Sequence, residues 1–146
     1  MTKIYSSLNN KTMDCIFCKI IKGEIPSYKI YEDDDCLAFL DINPINEGHT
    51  LVVPKKHYDT FENTPIEEIE KLINVIYKIS PRIKKALNAD AFNIGLNNDK
   101  EAGQIIFHTH FHIIPRFHDD NLANWENKIM SQEELENTLK KIQNNI

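Results

Sequence analysis

Glycine is scarce in this chain and scattered: four in 146 residues, at Gly23, Gly48, Gly95 and Gly103. No glycine-rich loop is therefore available to cradle a phosphate. Any phosphate handled here must be met by histidines, amide side chains and backbone N–H groups. A G-x-S-x-G elbow and an H-E-x-x-H helix are also missing, which removes the commonest serine-hydrolase and metalloprotease signatures. No apolar run approaches the ~18–20 residues that cross a bilayer, so no membrane partner is expected. The first residues, MTKIYSSLNNKTMD, lack the apolar centre of a secretory signal, and a cytoplasmic address is expected. Cysteines number three, an odd count that argues against a disulfide framework. Positive charge is short as well: 17 Lys and Arg against 22 Asp and Glu leave a net charge of −5, so nucleic acid is not an expected partner.

Histidine is what the chain has in concentration. Three of its six fall at alternate positions in Gln104-Ile-Ile-Phe-His108-Thr-His110-Phe-His112-Ile-Ile-Pro115. The β-branched and aromatic residues around them suit a strand that ends near Pro115. With a side-chain period of two, His108, His110 and His112 share one face, while Phe107, Thr109, Phe111 and Ile113 take the other, core-facing side.

The rest of the chain reads as a frame for that row. Hydrophobic content of 41% is enough for a single domain with a sizeable core, expected over residues 13–146 after a loosely ordered extension at 1–12. Around Cys15-x-x-Cys18, Asp14 is expected to cap a short helix and Gly23 to stop it. Strands are expected at 28–31, 36–41, 49–54 and 91–97. Thr64-Pro65-x-Glu67 reads as a helix start with Thr as cap. Apolar residues follow at Ile66, Ile69, Leu72, Ile73, Ile76, Ile79, Ile83 and Leu87, with Pro81 able to kink or split the helix. The polar turn 98–103 is expected to join the last two strands as a hairpin. Ser131-x-x-Glu134 starts a second helix. The fold class is α+β: a five-stranded antiparallel sheet, one long helix and short terminal helices, with the helices on one face.

Chemistry narrows the uses of the histidines. Zinc ligands stand only about 3.3 Å apart, whereas the ends of the row span roughly 13 Å, so the three cannot all converge on one ion. At least one imidazole is left free, and a neutral imidazole is a competent nucleophile toward phosphorus. The Cys15-x-x-Cys18 pair suits zinc if His49, His57 or the row completes it. A redox pair and two inert buried thiols are the other readings. Cys36 reads as core. Asp41, at the end of an apolar strand face, is either a solvated carboxylate or a ligand contact.

The motif His108-Thr-His110-Phe-His112-Ile-Ile matches H-φ-H-φ-H-φ-φ. Ala102-Gly-Gln104, Gly48-His-Thr-Leu-Val-Val-Pro-Lys-Lys-His57 and Ala38-Phe-Leu-Asp-Ile42 agree with it. On these, residues 14–116 resemble the histidine-triad (HIT) family, in its nucleotide-binding branch often called Hint. Thr109 departs from the pattern, standing where an apolar residue is usual. The resemblance implies a homodimer whose sheets join, and hydrolysis or transfer at the α-phosphate of a purine nucleotide or nucleotide conjugate. It implies His110 as a nucleophile forming a nucleotidyl-histidine intermediate, with His112 and His49 on the phosphate. Gln104 and Asn97 would touch the phosphate or leaving group, Asp41 the ribose hydroxyls, and Phe39 the base. It further implies a structural Zn2+ on Cys15, Cys18, His57 and His108, and no organic cofactor. The rivals are a nucleotide-binding or interaction module with incidental catalysis, and a zinc hydrolase with the metal on His110 and His112.

Overall fold

The structure, a computed structural model, describes residues 14–122 and 129–144; the extension expected at 1–12 lies outside them. Helix α1 (Ile16–Ile21) is followed by strands β1 (Lys29–Glu32), β2 (Cys36–Leu40) and β3 (Thr50–Pro54). The long helix α2 (Ile66–Ala86) leads to β4 (Ala91–Gly95), a 3₁₀ turn over Lys100–Ala102, β5 (Phe111–Arg116) and helix α3 (Gln132–Gln143). Every strand pair is antiparallel, in the order β1-β2-β3-β5-β4, so the expected α+β class holds.

Period-two alternation on the central strands decides where the core sits. Cys36 and Ala38 of β2, Val52 of β3, and Phe111 and Ile113 of β5 face α2, meeting Ile69, Leu72, Val75, Ile76, Ile79 and Ile83. The alternate residues, Leu37, Phe39, Leu51 and Val53, meet Cys15, Phe17, Cys18 and Ile20 of the α1 segment. Helices therefore lie on both faces of the sheet, not on one. A strand such as β3, buried at all five positions, needs cover on each side. The smaller core, under α1, is the one that carries the histidines.

Several local expectations need correction. Asp14 does not cap α1: the N-cap is Cys15, with no side-chain cap bond, although Gly23 does close the helix with φ +78°. Thr64 does not cap α2 either. Pro65 is the N-cap, and the Thr64 hydroxyl donates to the Thr60 carbonyl instead. Helix α2 runs unbroken through Pro81, and Ile66 and Ile73 of its expected stripe are exposed while Val75 is buried. The link from β4 to β5 is no tight hairpin but a long loop, because β5 begins only at Phe111. Pro115 sits inside β5, where register with β3 has already ended at Ile113 and only β4 remains as partner, so its missing N–H costs no ladder bond. Gly48, at φ +80°, is required twice over: a Cβ there would also run into the Leu87 side chain. The capping box on α3 is as expected, with both Ser131–Glu134 bonds formed.

Candidate active site and metal centre

His108 and His110 precede the strand, and His112 lies within it. They line up nonetheless, because Thr109 N donates to the Tyr58 carbonyl at 2.7 Å and pins the approach to the strand. The Thr109 hydroxyl stands 2.8 Å from that of Thr64 and 3.3 Å from the Tyr58 carbonyl. That accounts for a polar residue at a buried, usually apolar position: its partners came with it.

Four side chains converge on one side of the row. Cys18 Sγ is 3.3 Å from His57 Nδ1 and 3.6 Å from His108 Nδ1, Cys15 Sγ is 3.5 Å from His108 Nδ1, and the two Nδ1 atoms are 3.2 Å apart. All four ligand atoms lie within 4.8 Å of one another. Those separations are close to the edges of a tetrahedron with Zn–S bonds of ~2.3 Å and Zn–N bonds of ~2.0 Å. The far ring nitrogens are held: His57 Nε2 lies 2.8 Å from Asp59 Oδ1, and His108 Nε2 2.8 Å from the Pro54 carbonyl. Each therefore carries its proton on Nε2 and turns the Nδ1 lone pair toward the thiols. Burial drives the His108 pKa down to about 4, keeping that lone pair free, while burial and the adjacent Cys15 push the Cys18 thiol up to about 12. The donor set fits zinc.

The other half of the row is anchored in the opposite sense. His110 Nδ1 lies 2.7 Å from the His108 carbonyl, which fixes the proton on Nδ1 and leaves Nε2 as a lone pair. His110 is 7% exposed, and burial lowers its pKa. Its Nε2 has no partner among the described residues and is not one of the atoms sealed from solvent. Phe17 packs edge-on against this ring, centroids 5.1 Å apart.

His49 sits behind His112. The Ile45 amide donates to His49 Nδ1 at 3.0 Å, so His49 carries its proton on Nε2 and donates it to His112 Nδ1 at 2.8 Å. His112 in turn must be protonated on Nε2, and that atom is buried with no partner. An orphaned buried donor costs roughly 1–3 kcal/mol, and a site that binds an acceptor is where such a cost is tolerated. Both ring nitrogens of His49 are engaged and it is 2% exposed, so its contact in the site is with His112.

The remaining expected residues divide. Asp41 is partly exposed, accepts from Asn43 N at 2.8 Å, and its Oδ2 lies 3.8 Å from His49 Nδ1. Asn97 is exposed, and its amide makes a 3.5 Å contact with the Gly103 carbonyl. Phe39 is buried against Phe17, leaving little of its face for a base. Gln104 turns inward. Its amide donates to the Asp59 and Ile106 carbonyls and its oxygen accepts from Asp99 N, whose φ is +70°. It braces the loop instead of offering a donor. A hollow of about 520 Å³ opens beside Cys15, His57, Asp59 and Phe107, but neither His110 nor His112 lines it.

Two residues were not foreseen. Asp59, two positions after His57, could have been found from the His-x-Asp spacing. Ile45 acts through its backbone and leaves no mark in the sequence.

The model of the HIT domain matches residues 22–119. This chain belongs to the HIT family. It is 48% identical over 89% of its length to adenylylsulfatase HINT3 of Arabidopsis thaliana, and it spans 64% of that protein. The crystal structure of a HIT family member from Bacillus subtilis superposes with a TM-score of 0.82 at 39% identity, covering 91% of this chain and 97% of the other. A zinc-bound histidine-triad protein from Mycobacterium smegmatis matches with a TM-score of 0.74 at 35% identity, over 92% of this chain and 99% of the other.

Proposed function

We propose that this HIT protein is a hydrolase or nucleotidyl transferase working at the α-phosphate of purine nucleotide derivatives: phosphoramidates, adenylates or dinucleoside polyphosphates. The observation that carries the reading is the pairing of an open lone pair on His110 Nε2 with an orphaned N–H on His112 Nε2. A nucleophile and a donor side by side are what in-line displacement at phosphorus needs. His110 Nε2 forms the P–N bond as the bond to the leaving group breaks. The His108 carbonyl accepts from Nδ1 throughout and steadies the positive charge that grows on the ring. His112 N–H meets the charge gathering on a non-bridging or leaving oxygen. Water then attacks the nucleotidyl-His110, releasing the nucleotide and freeing the imidazole. Asp41 and Asn97 remain the candidates for the ribose and phosphate, and a name such as adenylylsulfatase on a relative supports an adenylate among the substrates.

Cys15, Cys18, His57 and His108 would hold Zn2+ as a closed structural site, which a zinc-bound relative supports. When bound, the ion would cross-link the α1 segment to the histidine segment. The rival arrangement, with metal on His110 and His112, would need His110 to give up its bond to the His108 carbonyl. A cytoplasmic location suits thiols that must stay reduced, and no helix among the described residues is long and apolar enough to cross a membrane.

A homodimer joined through β4 accords with the sheet edges. The β1 edge is guarded by Lys29, Glu32 and a register shift, whereas β4 is Ala-Phe-Asn-Ile-Gly with no charge to repel a partner strand. Incubation with adenosine phosphoramidate, an aminoacyl adenylate and a dinucleoside polyphosphate, each labelled in the adenylate, tests the chemistry. Rapid quenching is expected to trap label on His110. Turnover without any protein-bound label under single-turnover conditions would sink the covalent route.

A further inference from the structure

The loop between β2 and β3 carries the amide that sets the tautomer of His49, yet burial does not hold that loop in place. Ile42 and Ile45 are 76% and 56% exposed. Pro44 narrows the backbone on one side of Ile45. On the other side stands Asn46, whose side chain is fully engaged. Its Nδ2 donates to the Pro115 carbonyl at 3.0 Å and to Asp120 Oδ2 at 3.2 Å, and its Oδ1 accepts from Glu47 N. Its own carbonyl accepts from His49 N at 3.1 Å.

Asp120 is a firm anchor for that side chain. Arg116 Nε and Nη2 reach its two oxygens at 2.8 and 3.2 Å, and the Phe117 and Leu122 amides each add a bond of 3.0 Å. Arg116 Nη1 is held in turn by Asn93 of β4 at 2.8 Å. Through Asn46, an exposed loop is tied to the end of β5 and the turn that follows it.

What the tie decides is where two protons sit. His49 Nδ1 has the Ile45 amide, a donor, at 3.0 Å and Asp41 Oδ2, an acceptor, at 3.8 Å. Facing the amide, Nδ1 is a lone pair. With the amide moved away, Nδ1 would take the ring's proton and turn it to Asp41, leaving Nε2 bare. Two lone pairs cannot face each other across the 2.8 Å between His49 Nε2 and His112 Nδ1, so His112 would then carry its proton on Nδ1. The pair holds two protons in both registers. In the first, His112 presents an N–H to the site; in the second, a lone pair that repels a phosphate oxygen.

We propose that Asn46 is a positioning residue: it holds the Ile45 amide on His49 against the competing Asp41 carboxylate, and so keeps the His49–His112 pair in the register that offers an N–H. The consequence for phosphate chemistry rests on the function proposed above; the register itself does not.

Long-range proton–nitrogen NMR on the full chain, labelled with 15N-histidine, tests it at about pH 7.5, where burial keeps both rings neutral. In the parent, His49 and His112 are both expected as Nε2–H tautomers. Asn46→Ala should move both to Nδ1–H. His110, whose Nδ1 proton is held by the His108 carbonyl, should keep its tautomer, whereas a general loosening of the fold would disturb all three. Asp120→Asn keeps the size and removes the charge; it should shift the pair the same way by less, and it decides the matter if Asn46→Ala does not fold. With an adenylate, kcat of Asn46→Ala should fall about a hundredfold, as for the loss of one charge-stabilising donor, with KM within a few-fold. Unchanged tautomers of the pair in the folded variant, or a parent His49 protonated on Nδ1, overturn the proposal. A parent that shows the expected register but traps no label on His110 overturns the function proposed above and leaves the role of Asn46 standing.

Discussion

The two halves of the histidine row differ in which ring nitrogen the fold has anchored. In His57 and His108 the anchor is on Nε2, through Asp59 and Pro54, and the Nδ1 lone pairs converge on two thiols. In His110 the anchor is on Nδ1, through the carbonyl of His108, and Nε2 looks outward. Two residues apart, the same side chain thus offers an Nδ1 lone pair to a pair of thiols in one place and an Nε2 lone pair in the other, according to the hydrogen-bond acceptor behind it. Residue 108 belongs to both halves, its ring in one and its carbonyl in the other. Side-chain identity decides little here; the acceptor behind each ring decides most of it.

The hardest test of that division is His110→Asn. It keeps a polar group of similar size and removes the lone pair. Turnover of an adenylate is expected to fall by about a thousandfold or more, with the labelled intermediate gone and nucleotide affinity within a few-fold. On the other half, Cys18→Ser should abolish stoichiometric zinc by metal analysis. It should also lower Tm by about 10 °C, a loss on the order of 3 kcal/mol for a domain this size. Its kcat per folded molecule should stay within a few-fold of the parent. If Cys18→Ser stops the chemistry as completely as His110→Asn, the halves are not separate.

Much of this frame was readable beforehand. Alternation placed His108, His110 and His112 together, the Cys-x-x-Cys spacing pointed to a metal, and β1 to β4 fell within one or two residues of where pattern put them, whereas β5 begins only at Phe111 and leaves His108 and His110 ahead of it. What escaped was set by tertiary contacts that local pattern does not carry. Apolar residues of β2 and β3 alternate onto two cores, and which helix covers which face is not encoded in either strand. Thr64 has the composition of a cap, but Thr109, forty-five residues away, competes for its hydroxyl. Gln104 and His49 were expected on the phosphate from motif position alone. Their hydrogen bonds to Asp59, Asp99 and Ile45 could be seen only once the loops were folded.

Acid should divide the halves less sharply. His112 is neutral in the fold, its pKa driven down to about 4 by burial first and by His110 and His49 next. An unfolded histidine titrates near 6.5, so above that pH neither state holds the proton and this group contributes no slope. Between about 6.5 and 4 the unfolded chain binds a proton that the native one refuses, and stability falls as pH falls, by up to about 3 kcal/mol. Thermal melts from pH 7.5 to 4.5 should therefore decline more steeply for the parent than for His112→Asn. Parallel curves would mean that the burial of His112 is not what keeps it neutral.

The smallest expected effect is also the most discriminating for the metal half. Asp59 is no ligand; it acts on His57, holding Nε2–H at 2.8 Å so that Nδ1 faces Cys18. Its backbone carbonyl separately accepts from Gln104, a bond that a side-chain change leaves in place. Asp59→Asn keeps an acceptor for that N–H but removes the negative charge, so His57 should stay oriented while its Nδ1 becomes a poorer donor to the ion. Competition with a chelator of known affinity should show zinc held about 10–100-fold more weakly. Nucleotidyl transfer by the zinc-loaded protein should change little. Asp59→Ala removes the acceptor as well and should fall below Asp59→Asn. Equal affinity in all three proteins would mean that Cys15, Cys18 and His108 fix the ion without help, and that the carboxylate behind His57 plays no part in choosing its nitrogen.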